Sequence, residues 1–600
     1  MTMLPARTEI APEFTWNATS VFESPEAWSA ELGRLSDELQ ELSAFQGKLD
    51  SAARLADWFD RVATLAERVG HVFVYAIMSQ SVDTTDQEAT AMAGQASTLM
   101  SNFVAATAFA EPEILALGRD RLRQWQKEDV RLRLYEHYFD NLFRQQAHVR
   151  SAEVEEILGM ARDPFATIEQ TADLLTDADI VFKRAVGADG QAYPVAQSTI
   201  THLLHHADRE VRRTAWESYA DGYLAFKNTL ASNLTASIKR DVFYARARRY
   251  RSSLEAALFE NNIPPAVFHN LLDTYRKHLP TWHRYWRVRR QALGLSDLHP
   301  YDIWAPLATQ QPEVSYTQAV EWIAAGMQPL GEAYVSALRQ GCLQDRWVDV
   351  YPNRGKRQGA FSFGWRGTHP FIVMSFANDL ASMSTLAHEL GHSMHSYLTW
   401  RNQPMIYSDY SLFVAEVASN FNQAMVRAYL LEQFQEPQFQ IAVIEEAMNN
   451  FHRYFFIMPA LARFELEMHE RVERGQGLTA DAMSAYMADL FEEGYGGEMV
   501  VDRDRVGITW AQFSHLYTAY YVYQYATGIS AAHALAAPIL RGEPGAAERY
   551  LQFLSAGGSL YPIDALKLAG VDMESPEAVE QTFAVLSDYV DRLARLTGVE

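Results

Sequence analysis

The stretch Ala387-His388-Glu389-Leu390-Gly391-His392 is an H-E-x-x-H motif. On a helix, residues four apart share a face, with about 6 Å between their Cβ atoms. His388 and His392 can therefore reach one metal ion, with Glu389 one step round the helix. Two imidazoles at this spacing suit Zn²⁺, and a carboxylate beside them can activate a water. The flanks decide the local fold. Met383, Leu386, Leu390 and Met394 recur at three-to-four spacing, so residues 379–397 read as one helix with a buried face. Asn378, Asp379 and Ser382 are capping candidates at its start. Upstream, Pro370-Phe371-Ile372-Val373-Met374-Ser375-Phe376 is short, apolar and partly β-branched, a strand pattern. Gly391 inside the helix costs roughly 1 kcal/mol against alanine and signals a special demand at that position. A solvated histidine pair on a surface helix would leave that glycine unexplained.

A catalytic zinc usually takes three protein ligands and keeps one position open. Glu416 is the candidate for the third. It lies 24 residues after His392, enough for a turn and a returning helix over 411–432, and apolar residues flank it on both sides. A lone carboxylate in such surroundings is costly to bury unless paired or metal-bound. Glu432, Glu445 and Glu446 are rivals in more polar surroundings.

Working outward, Trp347 to Tyr351, Gly359 to Trp365 and Pro370 to Phe376 form the clear strand cluster of the second half. A small sheet just before the zinc helix could pair its edge with an extended peptide; a purely structural sheet is the alternative. From Ser24 to about Ala185 the pattern is helical, with segments at 52–79, 86–109, 111–126 and 130–143. Two short apolar runs around Gly187-Ala188-Asp189-Gly190 read as a β-hairpin, and a boundary is expected there. This divides the chain into an N-terminal helical domain, 1–190, and a catalytic domain, 191–600. His202 and His206 also stand four apart, but position 203 is Leu, so they read as ordinary helix-end histidines. The basic run from Ile238 to Arg251 reads as a solvated face or as partners for acidic neighbours.

Length alone allows about four domains. The net charge is −23 with no dominant basic stripe, which argues against nucleic acid as a partner. The single cysteine, Cys342, rules out a disulfide framework within the chain and fits a reducing, cytoplasmic setting. Met1 to Arg7 has no apolar core of signal-peptide length. The most apolar stretch, Tyr520 to Leu540, carries Gln524, Thr527, Ser530 and His533 and reads as a buried helix. A membrane partner is therefore not expected.

Beyond the metal motif, several stretches carry a resemblance. They are Gly355-Lys356-Arg357-Gln358-Gly359-Ala360-Phe361-Ser362-Phe363-Gly364, Phe413 to Ser419, Phe451-His452-Arg453-Tyr454-Phe455, Ala462-Arg463-Phe464-Glu465 and Tyr521 to Gly528. With Phe14-Thr15-Trp16-Asn17 near the start, the chain resembles the oligoendopeptidase F group of thimet-oligopeptidase-like zinc metallopeptidases over nearly its whole length. The resemblance implies a mostly α fold: an elongated multi-helix body with a deep central channel, and a small β-sheet next to the zinc-site helix. It implies that only short, unfolded peptides reach the metal. It also implies that His515 and nearby tyrosines contact the substrate or the oxyanion, where an imidazole or phenol can donate. Tyr517, Tyr520, Tyr521 and Tyr523 are candidates, with Tyr520 and Tyr523 favoured. One departure stands out: after Phe421-Asn422 the chain has Gln423 where the family pattern expects Glu, which removes an acid from that position.

The sequence thus predicts a zinc-dependent endopeptidase that hydrolyses oligopeptides. One Zn²⁺ per chain is expected on His388, His392 and Glu416, with Glu389 as general base and His515, Tyr520 and Tyr523 as substrate contacts. The alternatives are a helical carboxypeptidase and a non-catalytic peptide-binding protein.

Overall fold

The structure, a computed structural model, describes residues 4–599; Met1 to Met3 of the N-terminal reading fall outside them. The chain is mostly helical, with five short strands, β1–β5, among the described residues. It divides into two compact units, each assembled from three segments. The first comprises 1–147, 312–430 and 535–570, the second 148–311, 431–534 and 571–600. Contacts therefore cut the chain at other places than the boundary read near residue 190.

In the first unit, the helix Ala52–Val82 is the long organiser, 31 residues capped by the Ser51 hydroxyl, which accepts the Arg54 N–H. It packs on Gln87–Thr107, and Leu55, Leu65, Val69, Val72 and Ala76 enter one apolar core with Trp16, Trp28 and Ile114. The helix expected over 111–126 is two helices, Ala110–Leu117 and Arg119–Glu128. Gly118 separates them at φ 81°, a left-handed conformation that glycine tolerates.

Phe371 and Val373 bring the sheet into the same core. Strand β5 (Phe371–Val373) is central and fully buried. It pairs in parallel with β3 (Val348–Asp349) and antiparallel with β4 (Phe361–Phe363), with Ser362 opposite Ile372. The order β3-β5-β4 leaves β4, half-buried along its length, at an edge. Within β3, Asp349 has no exposure and would be an isolated buried charge. Lys356 reaches it at 2.7 Å and Arg7 at 2.9 Å. That pairing gives Lys356, in the Gly355–Gly364 stretch, a structural role: its ammonium also donates to the Tyr351 carbonyl at 2.7 Å.

The second unit contains the expected hairpin, β1 (Ala185–Val186) with β2 (Ala192–Tyr193), antiparallel with Ala185 opposite Tyr193. Asp302, with no exposure, accepts from Arg209 at 2.8 Å and Arg212 at 3.1 Å. Much of the basic run meets acids: Arg240 pairs with Glu169 and Asp241, Arg248 with Glu155, and Arg251 with Glu255. His206 accepts the Asp208 N–H, and Asp208 caps the helix Arg209–Leu224, as ordinary helix-end residues do. Among the described residues no helix is long and apolar enough to cross a membrane.

Candidate metal centre

The H-E-x-x-H motif lies on the helix Leu380–Asn402, in the first unit. Asp379 caps it by accepting the Ser382 N–H at 2.7 Å. Met383, Leu386, Leu390 and Met394 are all buried, as their spacing requires. The opposite side of the same turns presents His388 and His392, whose ring centres lie 4.9 Å apart.

Glu416 sits on the next helix, Leu412–Gln433, and the reason it reaches the histidines is Gly391. A Cβ at position 391 would stand 2.3 Å from the Ala418 carbonyl oxygen and 2.5 Å from Ser419 Cα. The two helices thus touch backbone to backbone, an approach that a larger side chain prevents. This is the special demand the sequence signalled. One ligand atom from each of His388, His392 and Glu416 lies within 4.8 Å of the others, and no other group of three potential ligands converges among the described residues.

Each of the three candidate ligands is held from behind. Gln423 Oε1 lies 3.2 Å from His388 Nδ1, while its amide nitrogen donates to Ser384 Oγ at 2.8 Å. An Nδ1–H donated to Gln423 leaves Nε2 as the free lone pair, and Nε2 is the atom facing Glu416 Oε2 at 3.4 Å. The glutamine at the departure from the family pattern can thus orient His388 without a charge. The Ala415 carbonyl bonds the His392 ring. Ser419 Oγ donates to Glu416 Oε2 at 3.0 Å.

The electrostatics separate the acids. Burial pushes Glu389, 6% exposed, up to about 7; His388 and an N–H bond from Ser362 oppose the rise, and the Glu416 charge adds to it. Positive charge held by the three ligands would lower it again. Burial also works against the charge of Glu416, but His388, His392 and Ser419 hold its carboxyl below the usual range. Burial brings His392 down to about 4, so it is neutral and able to ligate. Two imidazoles and one carboxylate, with His388 and Glu416 each partly open to solvent, form the donor set of an open zinc site, so the residues fit the ion.

The remaining predicted residues lie in the second unit. Tyr520 and Tyr523 are each 2% exposed and both pack edge-on against Phe268. Tyr520 has φ +50°, and its N–H is given to Glu465 Oε1 at 2.5 Å. His515 instead stands beside Tyr521 and Tyr525, with ring centres 5.9 and 5.8 Å away, and those two half-buried tyrosines join hydroxyls at 2.8 Å. The structure therefore groups His515 with Tyr521 and Tyr525, and places Tyr520 and Tyr523 in packing. Helical spacing could not sort them, because the turn at Tyr520 interrupts the helix before Tyr523–Leu540 begins.

Comparison with known proteins bears on the whole chain. The family model for peptidase family M3 matches residues 202–585, and the oligopeptidase F model matches 113–182. Oligopeptidase PepF of Bacillus subtilis is 38% identical over 99% of this chain and 88% of its own length. Group B oligopeptidase PepB of Streptococcus agalactiae is 34% identical over 99% and 98%. The crystal structure of oligoendopeptidase-F from Enterococcus faecium superposes with a TM-score of 0.73 at 32% identity, covering 95% of this chain and 99% of that one. With matches of this extent, the chain belongs to peptidase family M3, in its oligoendopeptidase F group.

Proposed function

We propose that the protein is a zinc-dependent endopeptidase acting on oligopeptides. The observation that carries this is the convergence of His388, His392 and Glu416 on one point beside the buried Glu389. Family membership and the names of its relatives support the substrate class.

His388, His392 and Glu416 would hold one zinc ion per chain. When bound, the ion supplies Lewis-acid polarisation of a carbonyl and lowers the pKa of water. The rest falls to the chain's own groups. Glu389, raised toward neutrality by burial, takes a proton from the attacking water and delivers it to the leaving amine. Gln423 and Ala415 keep the two imidazoles aimed. Strand β4 offers its outer edge to an extended peptide, and the Ser362 N–H bond to Glu389 ties that strand to the base. His515, Tyr520 and Tyr523 are kept as substrate contacts on the resemblance alone; within the second unit, exposure favours Tyr521 and Tyr525 over the buried pair. A cytoplasmic location agrees with one cysteine, Cys342, which is buried. The carboxypeptidase alternative is separated by peptides blocked at both ends. An endopeptidase cuts them in the presence of zinc and stops with a chelator; failure to cut any blocked peptide overturns the reading.

A further inference from the structure

The second unit holds a cavity of about 430 Å³ whose lining, His515 apart, has no role in the chemistry above. Its size and mixed lining match a small-ligand pocket: mostly apolar walls with a few polar groups. Trp216, Tyr219, Trp304, Phe491 and Phe513 supply aromatic walls, and His515 belongs to the same lining. Trp216, Tyr219, Trp304 and Phe513 all keep part of their surface exposed.

Arg453 is the cation of this lining. It opens the π-helical turn Arg453–Ile457, which interrupts the run between Pro437–His452 and Met458–Glu473. Such turns recur at functional sites because they re-aim side chains. The other arginines near it in sequence are engaged: Arg463 pairs with Glu493, and Arg471 with Glu467. Arg453 is exposed, and no acid pairs with it among the described residues. His452 beside it is 3% exposed and leaves Nε2 without a hydrogen-bond partner among them. A guanidinium with no acid partner among the described residues, set against aromatic walls, suits a ligand that is apolar at one end and anionic at the other.

We propose that this pocket is a peptide-binding subsite that takes an aromatic or large aliphatic side chain, with Arg453 pairing to a carboxylate of the same peptide. This rests on the reading that the substrate is a peptide and narrows its class. The carboxylate can come from an acidic side chain or from the peptide's C-terminus.

The test is calorimetric titration of the full-length Glu389→Gln protein with short peptides, so that binding is read without turnover. The probes are a pentapeptide with one Phe and a free C-terminus, its Phe-to-Ala analogue, its C-terminal amide, and the amide with one Asp added. The Phe peptide is expected to bind roughly tenfold or more tightly than the Ala analogue. Thr201→Trp, which fills the cavity from an exposed wall position, removes that difference. Arg453→Ala weakens the acid-bearing peptides about three- to tenfold and spares the plain amide. Whichever of the free C-terminus and the Asp restores affinity identifies the source of the carboxylate. If Thr201→Trp lowers the thermal midpoint, Phe513→Ala is used instead and should reduce the Phe preference. Equal binding of the Phe and Ala peptides, or a Phe preference unchanged by both wall variants, overturns the proposal. Absence of hydrolysis by the wild-type zinc-loaded protein, with the Phe preference intact, would overturn the peptidase reading and leave the subsite standing.

Discussion

His388, His392 and Glu416 in the first unit turn their ligand atoms toward one point, whereas Asp241, His469 and Glu465 in the second are also shielded but do not converge. His469 Nε2 lies 3.5 Å from Asp241 Oδ2, and its Nδ1 is 2.9 Å from the Glu465 carbonyl. The Glu465 carboxylate turns elsewhere, to the Tyr520 N–H. In the first cluster the supports stand behind the ligands and leave the front open. In the second the acids and the histidine are engaged by partners in different directions. Burial of acids and histidines is common to both, so burial alone does not mark a metal site. Convergence with an open front is what sets the first cluster apart.

The largest break in this comparison comes from removing a ligand. Glu416→Ala should abolish stoichiometric zinc in the purified protein, read by elemental analysis, and peptide hydrolysis with it. Glu465→Ala should leave zinc content unchanged. Equal zinc loss in both variants would erase the distinction. Next, Glu389→Gln should retain zinc while kcat falls about 10²- to 10⁴-fold. Full turnover in that variant would remove Glu389 as the base. Gln423→Ala should weaken zinc about 10- to 100-fold, measured by competition with a chromophoric chelator, because His388 loses the partner that orients it. Gly391→Ala should cost on the order of 1–3 kcal/mol in denaturant unfolding, since its methyl group meets the backbone at Ala418.

An effect confined to a pH window sharpens the second cluster. Burial raises Glu465 to about 8, opposed by His469 and the Tyr520 N–H. A carboxyl with a raised folded pKa keeps its proton in the native state while the unfolded chain has already released it. Its contribution to stability is therefore full below about 4.5 and is lost as pH rises toward about 8. His469 is also raised, by Asp241 and Glu465 against its own burial, and acts in the same sense. Glu465→Gln mimics the protonated acid and should flatten the decline in stability between those pH values, by on the order of a few kcal/mol. A pH–stability curve parallel to wild type would show that Glu465 is ionised in the fold.

Much of the site was legible because its signals are local. The spacing of His388 and His392 belongs to one helix turn, and the stripe Met383, Leu386, Leu390, Met394 is read from the same periodicity. Glu416 was found from its apolar flanks, which sequence shows without coordinates. The tyrosines were harder: a single left-handed residue at Tyr520 changes which of Tyr520, Tyr521, Tyr523 and Tyr525 face outward. The Asp349 pairing with Lys356 and Arg7 was missed for another reason. Arg7 and Asp349 are 342 positions apart, and nothing local signals their contact.

The amino-acid order by itself determined the helical class, the H-E-x-x-H helix pattern and the candidates for three ligands and a base, since each depends on neighbours within a few residues. Tertiary structure alone decided the assembly of two units from interleaved segments, the backbone contact of Gly391 with Ala418 and Ser419, and the company His515 keeps. Those depend on which distant segments pack together, and packing is set by shape and burial summed over the whole fold.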